Sequence, residues 1–189
     1  MIAGISSSVV VSSIGDPNGL IIPGTIYGFN DGYMTAETIE PGYGYWLRSS
    51  GDGEITLSES GNSRRVLNIE RPEGANVLRV NGQTLYFGVD IPPHHDRLSY
   101  SLPPKPPAEA FDVRFEGDWK YVNEFGRIEL MSNNNIVSME YVINDDENWE
   151  LLDSRNGTTY HLTGSGSILI SGDSKLFDLR KIDIFPNQF

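Results

Sequence analysis

The sequence predicts an all-β protein: an antiparallel β-sandwich, immunoglobulin-like or jelly-roll-like, preceded by a small β unit. Three observations carry this prediction. No long window places apolar side chains at i, i+3, i+4 and i+7 free of glycine or proline, so helical periodicity is missing. Short runs rich in β-branched and aromatic residues recur between turn-forming clusters. The 20 glycines and 11 prolines are spread through 189 residues without a fixed period, as many short elements joined by turns require.

Taken in order, "SSVVVSSI", "GTIYGF", "GYWLR" and "EITLS" read as strands of the first third. "RVLNI" follows, and then "NVLRV" and "QTLYFGV", joined at Asn81-Gly82. Asn-Gly between two alternating apolar runs predicts a two-residue hairpin, because both residues accept the positive φ of a type I′ turn. In "LPPKPPAEA", residues 102–110, four prolines in five positions remove the donors a central ladder needs, which predicts an extended connector. Beyond it "FDVRF", "WKYV", "GRIELM", "IVSMEYVI", "WELLD", "TTYHLT", "SILIS" and "LFDLRKIDIF" read as strands. In Ile136 to Ile143 the set Val137, Met139, Tyr141 and Ile143 is expected to face the core. Turn content at "ESGNSR", residues 59–64, suggests a division into a small β unit at 1–62 and a sandwich at 63–189. A unit of about sixty residues is marginal alone, which suggests that it packs on a neighbour or lacks an upstream strand. The opening "MIAGISSSVVV" reads as an apolar strand already under way, as in a chain that begins inside a larger protein.

Composition narrows the function. A net charge of −12, with only 14 scattered Lys and Arg, argues against nucleic acid, whose phosphates need a basic face. Cysteine is absent, which excludes disulfides, Cys-ligated zinc and thiol catalysis. No apolar run reaches the roughly 18 residues of a membrane span. The adjacent His94 and His95 sit in the turn "IPPHHDR", and His161 in "TTYHLT" has no partner identifiable from sequence. No G-x-S-x-G elbow occurs, and most carboxylates that could serve glycoside hydrolysis lie in polar turns. A glycoside-active enzyme is therefore a distant alternative, and no catalytic residue is assigned.

Calcium is the more plausible ion. The oxygen-rich turns Asn30-Asp31, Asp52 with Glu54, and Asn144 to Glu147 offer hard ligands, with Asp145, Asp146 and Glu147 the candidate set, although none has the spaced acidic loop of a dedicated site. Aromatic side chains suggest a sugar platform: Trp119 and Tyr121 share one face of "DWKYV", and Trp149 follows the acidic turn "NDDEN". In "GYGYWL", residues 42–47, alternation puts Tyr43, Tyr45 and Leu47 on one face and Gly42, Gly44 and Trp46 on the other. There the glycines leave room for the Trp46 ring, which predicts Trp46 as core.

"MIAGISSSVVVSSI" followed by "IYGFNDGYMTAETIEPGYGYWLRSSGDGEITL" resembles a β module near the C-terminal end of secreted proteins of Bacteroidetes, Ignavibacteria and related bacteria, although the opening Trp-Asn of that pattern is missing. "LPPKPPAEAFDVRF" and "KIDIFPNQF" are similar to the segments that precede the sorting domain of type IX secretion cargo, a domain that would begin where this sequence stops. The resemblance implies export to the cell surface and an accessory or structural place beside another domain. It supplies no catalytic residue. The expected function is a non-catalytic structural or accessory module that contacts neighbouring domains or self-associates through an open edge strand, the first strand being the candidate. A carbohydrate-binding module, with polysaccharide as the partner, is the alternative.

Overall fold

The computed structural model describes residues 1–4, 6–58, 71–93 and 95–182. The "ESGNSR" boundary, the "RVLNI" strand, His94 and the end of the chain from residue 183 lie outside the described residues. Chain contacts divide the molecule into two compact units, Met1–Glu70 with Pro93–Pro104, and Arg71–Pro92 with Lys105–Phe189. Each unit is thus assembled from two stretches of sequence.

The first unit is built from six short strands: β1 (Ile2–Ala3), β2 (Val9–Val10), β3 (Tyr27–Phe29), β4 (Tyr33–Thr35), β5 (Thr38–Ile39) and β6 (Gly44–Tyr45). They form three antiparallel pairs, β1 with β6, β2 with β5 and β3 with β4. The long strand expected at "SSVVVSSI" is cut to Val9–Val10, because the chain turns into a 3-10 helix at Val11–Ser13. That turn buries Val11 beside Val9, Ile14, Ile21, Ile26, Ile39 and Tyr45 in the core of this unit. Asp16 is buried and holds the next loop, its two carboxylate oxygens accepting from Leu20 N (2.7 Å) and Ile21 N (2.9 Å).

The second unit is the predicted sandwich. Its strands are β7 (Asn76–Val80), β8 (Gln83–Phe87), β9 (Asp112–Phe115), β10 (Tyr121–Val122), β11 (Phe125–Met131), β12 (Ile136–Val142), β13 (Trp149–Asp153), β14 (Thr159–Leu162), β15 (Ser165–Ser171) and β16 (Leu176–Lys181). They make two five-stranded sheets, ordered β10-β8-β7-β12-β15 and β14-β13-β16-β11-β9. Every pair is antiparallel except β8 with β10, which run parallel. Inward residues of both sheets, among them Leu78, Phe87, Met139, Phe115, Trp149 and Phe177, fill one core.

The β7–β8 hairpin has the predicted register, with Val80 opposite Gln83 and positive φ at Asn81 (46°) and Gly82 (81°). On β12, Val137 and Met139 are buried and Tyr141 packs against the core, while Ile136, Ser138 and Glu140 are exposed. The 102–110 segment carries no strand, as its prolines require.

Candidate functional site

The turn at 144–148 joins β12 of one sheet to β13 of the other, and its Glu147 side chain is directed into a polar clamp. Glu147 Oε2 accepts from Asn76 Nδ2 (2.7 Å) and from the indole Nε1 of Trp149 (3.0 Å), and Oε1 accepts from Lys181 Nζ (2.7 Å). Asn76 Oδ1 in turn accepts from Asn144 N (2.8 Å), and Asn76 has no exposed surface. A buried amide needs such partners, since leaving one unsatisfied costs on the order of 1–3 kcal/mol. Desolvation raises the Glu147 pKa, but the hydrogen bonds from Lys181, Asn76 and Trp149 together hold the carboxyl below its ordinary value.

This geometry corrects one expectation. Trp149 is not a sugar platform: it is fully buried, and its ring meets that of Phe87 edge to face at 4.7 Å between centroids. Glu147 engages both of its oxygens with three donors of the protein. Asp145 and Asp146 project into solvent from the tip of the turn, Asp146 with a φ of 66°. Among the described residues no cluster of three or more His, Asp or Glu side chains is arranged to hold a metal ion.

Trp119 and Tyr121 are likewise drawn inward. Tyr121 is buried and its hydroxyl donates to the carbonyl of Val89, while Trp119 is half-buried against the core. What brings Trp119 there is the turn Phe115–Trp119, closed by Phe115 N to Trp119 O (2.7 Å) and Trp119 N to Phe115 O (3.2 Å). At its tip Asp118 adopts a φ of 66°, and its carboxylate accepts from Arg114 Nη1 (2.6 Å). Arg114 has no exposed surface and also makes a two-pronged pair with Asp112, through Nε (2.5 Å) and Nη2 (2.7 Å). Neighbouring Lys120 is half-buried, and burial pushes its ammonium pKa down to about 8. These polar groups are consumed by structure.

In "GYGYWL" the inside and outside are the reverse of the prediction. Tyr45 is the core residue, its hydroxyl accepting from Glu40 N (2.8 Å), whereas Trp46 and Tyr43 are exposed. A Cβ on Gly42 or Gly44 would touch nothing, so neither makes room for Trp46; it is Gly28 whose missing side chain admits the Tyr45 ring. Strand β6 spans only Gly44–Tyr45, extended by a bridge from Trp46 to Tyr27, and Gly42 sits at a φ of 81°, so the run is too short for alternation alone to decide which face turns inward. Trp46 then forms one wall of a cleft of about 280 Å3 in the first unit, shared with Thr25, Tyr27, Arg48 and Pro103–Pro104. Its floor is fixed by the Tyr27 hydroxyl donating to Ser101 O (3.2 Å) and by Thr25 Oγ1, which accepts from Arg48 N (3.1 Å). Sequence reasoning passed over this exposed aromatic because it counted Trp46 as core.

A second concavity, about 350 Å3, lies on the outer face of the first sheet of the sandwich, where Arg79, Glu140, Val142, Ser165 and Ser167 line it. The outer face of the other sheet carries cross-strand ion pairs instead: Arg180 with Glu150 (2.7 Å) and Arg127 with Asp178 (2.9 Å), each directly opposite its partner. His161 Nδ1 lies 3.5 Å from the same Glu150. Among the described residues no helix is long and apolar enough to cross a membrane. No protein-family model, curated protein or solved structure matches the chain.

Proposed function

We propose that the chain is a non-catalytic structural or accessory β module of a secreted, cell-surface-associated bacterial protein. One observation carries the structural part: the interior charges act as struts. Arg114 ties Asp112 to the 116–118 turn, Glu147 ties the two sheets together, and buried Asp153 accepts from Ser174 Oγ (2.5 Å) and Arg155 N (2.9 Å). Groups satisfied in this way rigidify a fold, and rigidity suits a spacer between a working domain and a surface. Export rests on the resemblance of residues 1–58 and of the 102–115 segment to type IX secretion cargo. Fractionation of the producing cells tests it: the tagged protein is expected at the cell surface or in the medium, open to external protease. Retention of intact protein inside spheroplasts would overturn export.

Trp46 favours carbohydrate binding as a second reading. It stands 36% exposed at a cleft beside Arg48, an aromatic face and a hydrogen-bond donor together, as sugar recognition uses. On this reading Trp46→Ala abolishes retention on a polysaccharide that holds the wild type.

A further inference from the structure

The last strand of the first sheet, β15, has one strand neighbour, β12, and among the described residues no strand pairs with its other edge. The pairing defines which backbone groups that edge presents. Gly172 N donates to Asn135 O (2.9 Å) and Ile143 N to Gly164 O (2.6 Å), directly opposite pairs at the two ends of the ladder. Since hydrogen-bonded and non-bonded pairs alternate in an antiparallel ladder, Gly166, Ile168 and Ile170 exchange bonds with β12. Ser165, Ser167, Leu169 and Ser171 therefore turn their N–H and C=O groups away from it.

Protein edges are ordinarily blunted by charge, proline or a bulge. Here the strand reads Ser-Gly-Ser-Ile-Leu-Ile-Ser, without a charged residue or proline, in a chain of net charge −12. On the same outer face Leu169 is 67% exposed and Ile136, diagonal to it on β12, is 64% exposed.

We infer that β15 is a self-association edge, and that its occupant is β15 of a second copy of this chain, running antiparallel about a two-fold axis through Ile168. This deepens the structural-module reading, on which it rests, by naming the partner and the surface. In that register Ser167 faces Leu169 of the second copy and Ser165 faces Ser171. Every pair that must exchange hydrogen bonds then consists of two residues whose amides point outward. A shift of one residue breaks this match. The register also sets Leu169 diagonally across the axis from its own copy and brings the half-buried Ile168 against itself, which covers apolar surface on both faces. Charge favours a second copy over a foreign strand of either sign, because an uncharged edge offers nothing to select one and a self-pair places no like charges opposite each other. The result is two five-stranded sheets joined as one, an interface closed by symmetry.

The chain has no cysteine, so a single one can cross-link only to another copy. Residues at the axis form a non-hydrogen-bonded pair with Cα atoms about 4.5 Å apart, within disulfide reach. Ile168→Cys is expected to yield a disulfide-linked dimer under mild oxidation, and Ser165→Cys, which faces Ser171, is not. Sedimentation velocity on the wild type is expected to show a monomer–dimer equilibrium that shifts with concentration. Ser167→Pro removes an outward N–H and no ladder bond, and Leu169→Lys adds charge on the outer face; both are expected to leave a folded monomer. A wild type that stays monomeric throughout, a dimer untouched by both variants, or equal cross-linking at 165 and 168 would overturn the inference. Those results leave the structural-module reading intact; polysaccharide binding by the monomer would overturn that reading and leave the edge unaffected.

Discussion

Arg114 is held by two carboxylates within four residues of it, and it has no exposed surface. Removing one member of a buried pair leaves the other uncompensated, which costs about 3–5 kcal/mol, whereas an exposed partner contributes far less. Arg114→Met is expected to lower urea-unfolding stability by that amount. Asp118→Asn, at a side chain 44% exposed, is expected to cost under about 1 kcal/mol. Lys120 gives the molecule a signature in pH. Burial lowers its folded pKa to about 8 against about 10.4 in the unfolded chain, so between these values the unfolded state binds more protons and stability rises with pH. Urea midpoints are therefore expected to climb from pH 8 toward pH 10. That window lies below the titration of Tyr86, whose phenol burial raises despite Arg79 and Arg71. Lys120→Met is expected to flatten the climb and to be the more stable protein at pH 7. Glu147 gives a slope of the same sign in the acid range: its carboxyl is depressed, so its contribution is present above the ordinary carboxylate range and is lost as pH falls through the depressed value. Glu147→Ala strands the Asn76 amide and the Trp149 indole, and about 2–3 kcal/mol of stability is expected to disappear at pH 7 with the acid-side slope reduced.

At the scale of elements, the β7–β8 hairpin was readable because its turn chemistry is local. Gly82→Ala, at a φ of 81° with open space around it, is expected to cost about 1–2 kcal/mol of unfolding free energy. In β11, Gly126→Ala places a Cβ 2.8 Å from Phe115 and Val122, an overpacking expected to cost about 1–3 kcal/mol by the same measurement. The bounds of β7 and β13 and the inward set of β12 were also legible, since long alternating runs leave one solution. The first unit was less so. Its paired segments run to two or three residues, too short for alternation to assign a face, and Tyr45 and Trp46 exchanged roles for that reason. Trp149 misled because an aromatic beside an acidic turn reads the same whether the indole faces a ligand or, as here, donates inward to Glu147. Nothing in "NDDEN" signals that Glu147 turns inward, because its other partner, Asn76, lies 71 residues away in sequence and meets it only on folding.

For the molecule as a whole, the acidic surface, the charge struts and the two β units support a module that holds position. The contrast between its two sheet faces points the same way: ion pairs lace one face, and the other ends at an uncharged strand. The competing account requires a ligand at Trp46, the exposed indole at the first unit's cleft. Affinity electrophoresis of the purified chain through gels containing a panel of polysaccharides, with and without millimolar calcium and beside Trp46→Ala, tests the structural claim most directly. Unretarded migration in every gel, the same for wild type and variant, is the predicted result. Retardation of the wild type by one class of glycan, abolished in a folded Trp46→Ala protein, would contradict it.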